Sequence, residues 1–83
     1  MKHYLYILIS ESSGKYYIGI SKNPENRLIN HNTTEKGFTS RYRPWKIVLT
    51  KEFPNKYLAG KEERRLKKLK NKKKIEEYIR DNS

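Results

Sequence analysis

Apolar residues fall into short, dense runs in the first two-thirds of this chain and into a sparse helical stripe in the remainder. Residues 3–10, HYLYILIS, are rich in aromatic and β-branched side chains and of strand length. The turn formers SESSG follow, and KYYIGI at 15–20 reads as the returning strand. Antiparallel pairing through a loop of about five residues is the economical connection, and it brings Tyr6 and Tyr17 side by side. Asn23-Pro24-Glu25 is a helix start: asparagine can cap free N–H groups, proline suits the first helical position, and glutamate complements the dipole. The pattern predicts a helix of about two turns from Pro24 to His31.

Residues 32–37 lack a period and read as a surface loop, and Phe38 to Arg43 as a polar, basic continuation into Pro44. Trp45 to Thr50 reads as a third strand, and Phe53-Pro54-Asn55-Lys56 as a second break. Tyr57, Leu58, Leu66 and Leu69 then recur at helical spacing among strong helix formers and predict the longest helix. Asn71 weakens it, and Ile75, Tyr78 and Ile79 mark a short last helix that packs through one stripe. There is no internal repeat.

With 83 residues the expectation is a single domain spanning 1–83. The hydrophobic fraction of 34% is low, but its concentration in 3–9, 15–20 and 45–53 argues for a folded chain rather than a disordered one. The absence of cysteine excludes a disulfide staple and a thiolate zinc site. No segment approaches the roughly 20 apolar residues of a membrane span, and no secretory leader opens the chain, so a cytoplasmic protein with no membrane partner is expected.

The formal charge of +11 is unevenly spread, with nine basic residues in 61–74, KEERRLKKLKNKKK. Such a field attracts polyanions, and lysines that reach phosphates release condensed counterions, which makes nucleic acid the natural partner. A solvated basic face, or a patch for an anionic membrane or another acidic surface such as the ribosome's, gives the same composition.

Arg27 and His31 are four residues apart and so share one face of the predicted helix. An arginine fork matches a phosphate, and an imidazole relays protons near neutral pH, although an exposed helix face presents the same spacing. Glu63 offers an oxygen ligand for Mg²⁺ or Mn²⁺, ions that accept one or two carboxylates and keep several waters. An i,i+4 ion pair with Lys67 is its ordinary role, and spacing does not separate Glu63 from Glu62. Tyr6 and Tyr17 belong to a chain with seven tyrosines, most of which are packing; a phenol, with a reference pKa of about 10, serves as a base only beside a cation or a metal. Gly19 permits close approach of backbone or ligand, or marks a strand irregularity.

Taken in order, Tyr4-Leu5-Tyr6, Tyr17-Ile18-Gly19, Arg27-x-x-x-His31 and Ala59-x-x-x-Glu63-x-x-Leu66-Lys67 resemble the GIY-YIG nuclease domain family, most closely its small, stand-alone bacterial (UPF0213-like) branch. His31-Asn32, Gly37-Phe38-Thr39-Ser40-Arg41 and Arg43-Pro44-Trp45 add to the likeness, which covers nearly the whole chain. The first signature departs from the family name, with Tyr4-Leu5 in place of Gly-Ile. The resemblance implies an α/β (α+β) sandwich, a three-stranded antiparallel sheet flanked by helices. It implies that Tyr17 activates the attacking water with Tyr6 hydrogen-bonded in support or sharing that role, that Arg27 stabilises the phosphorane, and that His31 transfers a proton or positions substrate. Glu63, chosen over Glu62 by its phase with Ala59 and Leu66-Lys67, would hold a single Mg²⁺, or Mn²⁺.

The function so implied is a metal-dependent endonuclease acting on nucleic acid, DNA rather than RNA, at branched, flapped or damaged sites, as in DNA repair. The alternative is a binding module of the same fold with feeble or no catalysis. No length remains in this chain for a separate DNA-binding module, so targeting is expected from Arg41, Arg43, Lys67, Lys68, Lys70, Lys72, Lys73 and Lys74, or from a protein partner.

Overall fold

A computed structural model describes residues 2–33 and 37–83. Strands β1 (His3–Ser10), β2 (Tyr16–Ser21) and β3 (Trp45–Phe53) form one sheet, with helices α1 (Pro24–Thr33), α2 (Phe38–Arg41), α3 (Lys56–Leu69) and α4 (Lys72–Asp81) around it. The order is β2-β1-β3, with β1 paired antiparallel to both neighbours. Fold class and sheet are those read from the sequence.

β1 is apolar on both sides because both sides are covered. Leu5 and Ile7 enter one cluster, with Ile18, Leu49, Leu66 of α3 and Ile75 of α4. Tyr6 and Leu8 enter another, with Trp45, Tyr17, Leu28 of α1 and Tyr42. The sheet is therefore sandwiched between α3 and α4 on one side and α1 and α2 on the other. A bulge serves this arrangement: Ile7 lies opposite Leu49 and Leu8 opposite Ile47, which leaves Val48 between them. The extra residue reverses the alternation, so Ile47 and Leu49 pack on opposite faces instead of the same one.

Three helices start on asparagine caps. Asn23 Oδ1 accepts from the Asn26 N–H at 3.2 Å, Asn55 Oδ1 from the Leu58 N–H at 3.0 Å, and Asn71 Oδ1 from the Lys73 and Lys74 N–H groups at 2.9 and 3.4 Å. Asn71 thus does more than weaken a helix. With Lys70 left-handed at φ 48° it ends α3 and begins α4.

The elements differ from expectation at three places. Asn32 and Thr33 belong to the last turn of α1, not to a loop; residues 34–36 of that expected loop lie outside the described residues. Phe38–Arg41 is a short helix rather than an irregular continuation, and β3 runs on to Phe53.

Candidate active site

Tyr6 and Tyr17 project from the same face of the β1–β2 hairpin. Tyr6 pairs with Gly19 and Tyr17 with Leu8, so the two tyrosines are diagonal neighbours, their rings stacked 6.4 Å apart at 30°. The Tyr6 ring lies flat across Gly19: a Cβ there would stand 2.5 Å from the Tyr6 hydroxyl oxygen and 2.6 Å from its Cζ. The glycine of the second signature is thus required by close approach of a side chain rather than by backbone conformation.

Helix α1 brings Arg27 and His31 to this ring. His31 is 2% exposed, shares a 3.1 Å hydrogen bond between its Nε2 and the Tyr6 hydroxyl, and lies 4.7 Å from the Tyr17 ring. The Arg27 guanidinium also hydrogen-bonds the Tyr6 oxygen. An arginine can only donate, so that oxygen accepts from Arg27, while the direction of its bond with Nε2 follows the His31 tautomer. Burial raises the Tyr6 pKa above 10.0; the Arg27 hydrogen bond and charge oppose this, the Tyr17 and Glu63 charges add to it, and the net shift is upward. The Tyr6 hydroxyl is thus a buried hydrogen-bonding centre between α1 and the sheet.

Helix α3 belongs to the opposite layer, yet Glu63 reaches the same place around the open edge of β2. A Cβ on Gly60 would touch Ile20 Cδ1 at 3.8 Å, while Leu66 and Lys67 share a groove with Tyr16, Tyr17 and Ile18. α3 thus runs antiparallel along β2, and the Glu63 charge, midway along it, acts on the Tyr6 phenol and pushes its pKa up. The ordinary role is filled as well: Glu63 Oε2 lies 3.3 Å from Lys67 Nζ. Glu62 points elsewhere. It receives Arg65 Nε at 2.7 Å and Nη2 at 3.0 Å, and the Tyr78 hydroxyl at 2.9 Å. The Arg65 hydrogen bonds lower its pKa below 4.5 against the opposing effect of burial.

Tyr6, Tyr17, Arg27, His31 and Glu63 therefore share one neighbourhood, with Tyr17 half-buried at its surface and His31 enclosed behind it. The basic residues do not act as one patch. Lys67, Lys70 and Lys72 line the groove next to Tyr17, whereas Lys68 lines another, with Phe53 and Leu58, on the other side of α3. Lys73 and Lys74 are exposed on the first turn of α4 and Arg41 on α2. Arg43 is half-buried, and its Nε donates to the His31 carbonyl at 2.8 Å, so this guanidinium is engaged in holding the end of α1.

Sequence reasoning missed the frame behind His31. Asn32 Oδ1 accepts from the Trp45 N–H at 2.6 Å while its Nδ2 donates to the Trp45 carbonyl at 3.0 Å, a side chain pairing with β3 as a strand would. Trp45 Nε1 donates to the Thr39 carbonyl at 2.7 Å. The only sequence signal was adjacency, Asn32 following His31 and Trp45 following Arg43-Pro44. Among the described residues no three His, Cys, Asp or Glu side chains converge as a preformed metal cage. Nor is any of their helices long and apolar enough to cross a membrane.

The family model for the GIY-YIG catalytic domain matches residues 2–76. The chain is 36% identical over 81 residues to a UPF0213 protein of Enterococcus faecalis, covering 94% of this chain and 90% of that one. It is 38% identical over 60 residues to structure-specific endonuclease subunit SLX1 of Phaeosphaeria nodorum, 65% of this chain but 16% of the length of that relative. The solution NMR structure of a UPF0213 protein from Bacillus halodurans, 31% identical, superposes with a TM-score of 0.57 over 92% of this chain and 81% of that one.

Proposed function

The chain belongs to the family of GIY-YIG catalytic domains, and from that premise we propose that it is a metal-dependent endonuclease that hydrolyses DNA phosphodiester bonds at branched or flapped structures. The observation that supports this reading most is the crowding of four groups on one oxygen. The Tyr6 hydroxyl meets His31 at 3.1 Å, takes a hydrogen bond from Arg27, and is subject to the charges of Tyr17 and Glu63. An imidazole, an arginine, a second phenol and a carboxylate acting on one buried hydroxyl exceed what packing needs and match phosphoryl-transfer chemistry.

In this reading Tyr17, half-buried at the surface of the site, takes the proton of the attacking water. Arg27 donates to the phosphate and meets the charge that grows on it as the water oxygen bonds to phosphorus. Tyr6 fixes the Arg27 fork and the Tyr17 ring, and His31, too enclosed to touch substrate, positions Tyr6 through Nε2. Glu63 is a single, half-buried carboxylate at the mouth of the site, a donor set that suits a mostly hydrated Mg²⁺ or Mn²⁺ and not a tightly caged ion. When bound, such an ion supplies positive charge to the phosphate and the departing oxygen.

The SLX1 relative is named a subunit of a structure-specific endonuclease. We take from it selectivity for nucleic-acid structure and the use of a protein partner for targeting. The test is cleavage of end-labelled single-stranded, duplex, flap and four-way-junction DNA by the wild type and Glu63→Gln, with Mg²⁺, Mn²⁺ or EDTA. Cutting that needs both metal and Glu63 supports the proposal. Equal traces from both proteins, with salt-sensitive binding, would replace it by a catalytically inert DNA-binding module.

A further inference from the structure

The groove beside Tyr17 has a volume of about 320 Å³. Its floor is Tyr16, Ile18, Leu66 and Ile75, and its rim is Lys67, Lys70 and Lys72. It opens along β2, one of the two edge strands of the sheet. Lys67 follows Glu63 at i+4 on the same face of α3, and Lys70, the left-handed residue that ends the helix, lines the groove beyond it. The Lys67–Glu63 ion pair at 3.3 Å joins the groove to the reactive centre. At the far end Lys72 reaches over Gly14, where a Cβ would lie 3.2 Å from its Nζ.

Size and lining select an occupant. This volume is at the small end for ligand sites and admits about one nucleotide, not a duplex. An aromatic and aliphatic floor receives the face of an unstacked base, and a lysine rim receives its phosphates. We infer that this groove is a subsite for the first unpaired nucleotide beside the scissile phosphate, which makes nucleic acid with a single-stranded overhang or flap the preferred substrate. The inference rests on the nuclease reading above and adds to it the feature recognised and the residues that recognise it.

Binding in EDTA tests the groove without cleavage. Fluorescently labelled DNA duplexes with blunt ends, a 5′ overhang or a 3′ overhang are titrated with wild type and with the double variant Lys70→Gln/Lys72→Gln, whose positions are exposed and outside the core. The wild type should favour one overhang over the blunt duplex by about tenfold, and the double variant should lose that preference along with one to two units of salt-dependence slope. An abasic site at the first unpaired position should weaken wild-type binding by about fivefold or more. Equal affinity of the wild type for blunt and overhanging duplexes, or an undiminished preference in the variant, would overturn the subsite. Cleavage with Mg²⁺ separates the two ideas. A protein that cuts every duplex alike keeps the nuclease and loses the subsite, and one that prefers overhangs but never cuts does the reverse.

Discussion

On one face of the sheet Leu5, Ile7, Ile18 and Leu49 meet Leu66 and Ile75 in an aliphatic cluster; on the other, Tyr6, Leu8 and Tyr17 meet Leu28, His31 and Trp45. The first contact is non-directional, held by area removed from water. The second is aromatic and hydrogen-bonded, with a fixed angle or partner for most of its members. A single strand supplies both, Leu5 and Ile7 to the aliphatic cluster and Tyr6 to the aromatic one. The small domain thus needs no separate scaffold, because alternation along β1 divides the tasks.

That contrast is sharpest at Tyr17. Removing its hydroxyl with Tyr17→Phe keeps the ring against His31 and Trp45, so single-turnover cleavage should fall by ~10²–10⁴-fold while the thermal midpoint barely moves. Normal cutting by this variant would remove Tyr17 from the chemistry. The opposite face should answer the other way. Leu49→Ala leaves a void at a buried position of that cluster and should cost about 2–5 kcal/mol in denaturant unfolding, with cleavage per folded molecule preserved. Loss of activity in the folded fraction would mean that the two faces are coupled.

Gly19→Ala probes the boundary between them. One methyl group at 2.5 Å from the Tyr6 oxygen must displace the ring that Arg27 and His31 hold. A shift of about 1 Å in such a group costs roughly 10²-fold in rate, and single-turnover kinetics beside a melting curve would report whether rate falls further than stability. A smaller effect is expected at Glu62, whose side chain joins α3 to α4 through Arg65 and Tyr78. Glu62→Gln should cost about 1 kcal/mol at pH 7. Because folding depresses this carboxyl below 4.5, its stabilisation is present above that value and is lost as pH falls through the depressed one. Unfolding curves from pH 7 down to pH 3 should therefore be flatter for the variant; identical slopes would mean that Glu62 contributes nothing to acid sensitivity.

Much of the fold is legible because its signals are local. Strand-length apolar runs, the capping asparagine at 23 and the helical stripe from Tyr57 to Leu69 each act within a few residues, and each appears as an element close to its expected bounds. Phe38–Arg41 escaped because four residues carry no period. The bulge at Val48 escaped because it is defined by the partner strand; along β3 itself, Ile47 and Leu49 read as one face.

At the site the sequence alone determined the cast: two tyrosine signatures in neighbouring strands, Arg27 and His31 on one helical face, and a carboxylate at 62 or 63 among lysines. Which residue stands where was decided in three dimensions. The path of α3 along β2 puts the Glu63 charge within range of the Tyr6 phenol and turns Glu62 to Arg65 and Tyr78. Packing of the Tyr6 ring on Gly19 decides what that glycine is for, and the fit of α1 against β3 encloses His31 and draws Arg43 inward. Spacing along a chain specifies which side chains share a face; the approach of one element to another depends on register, bulges and the volume of every residue between them.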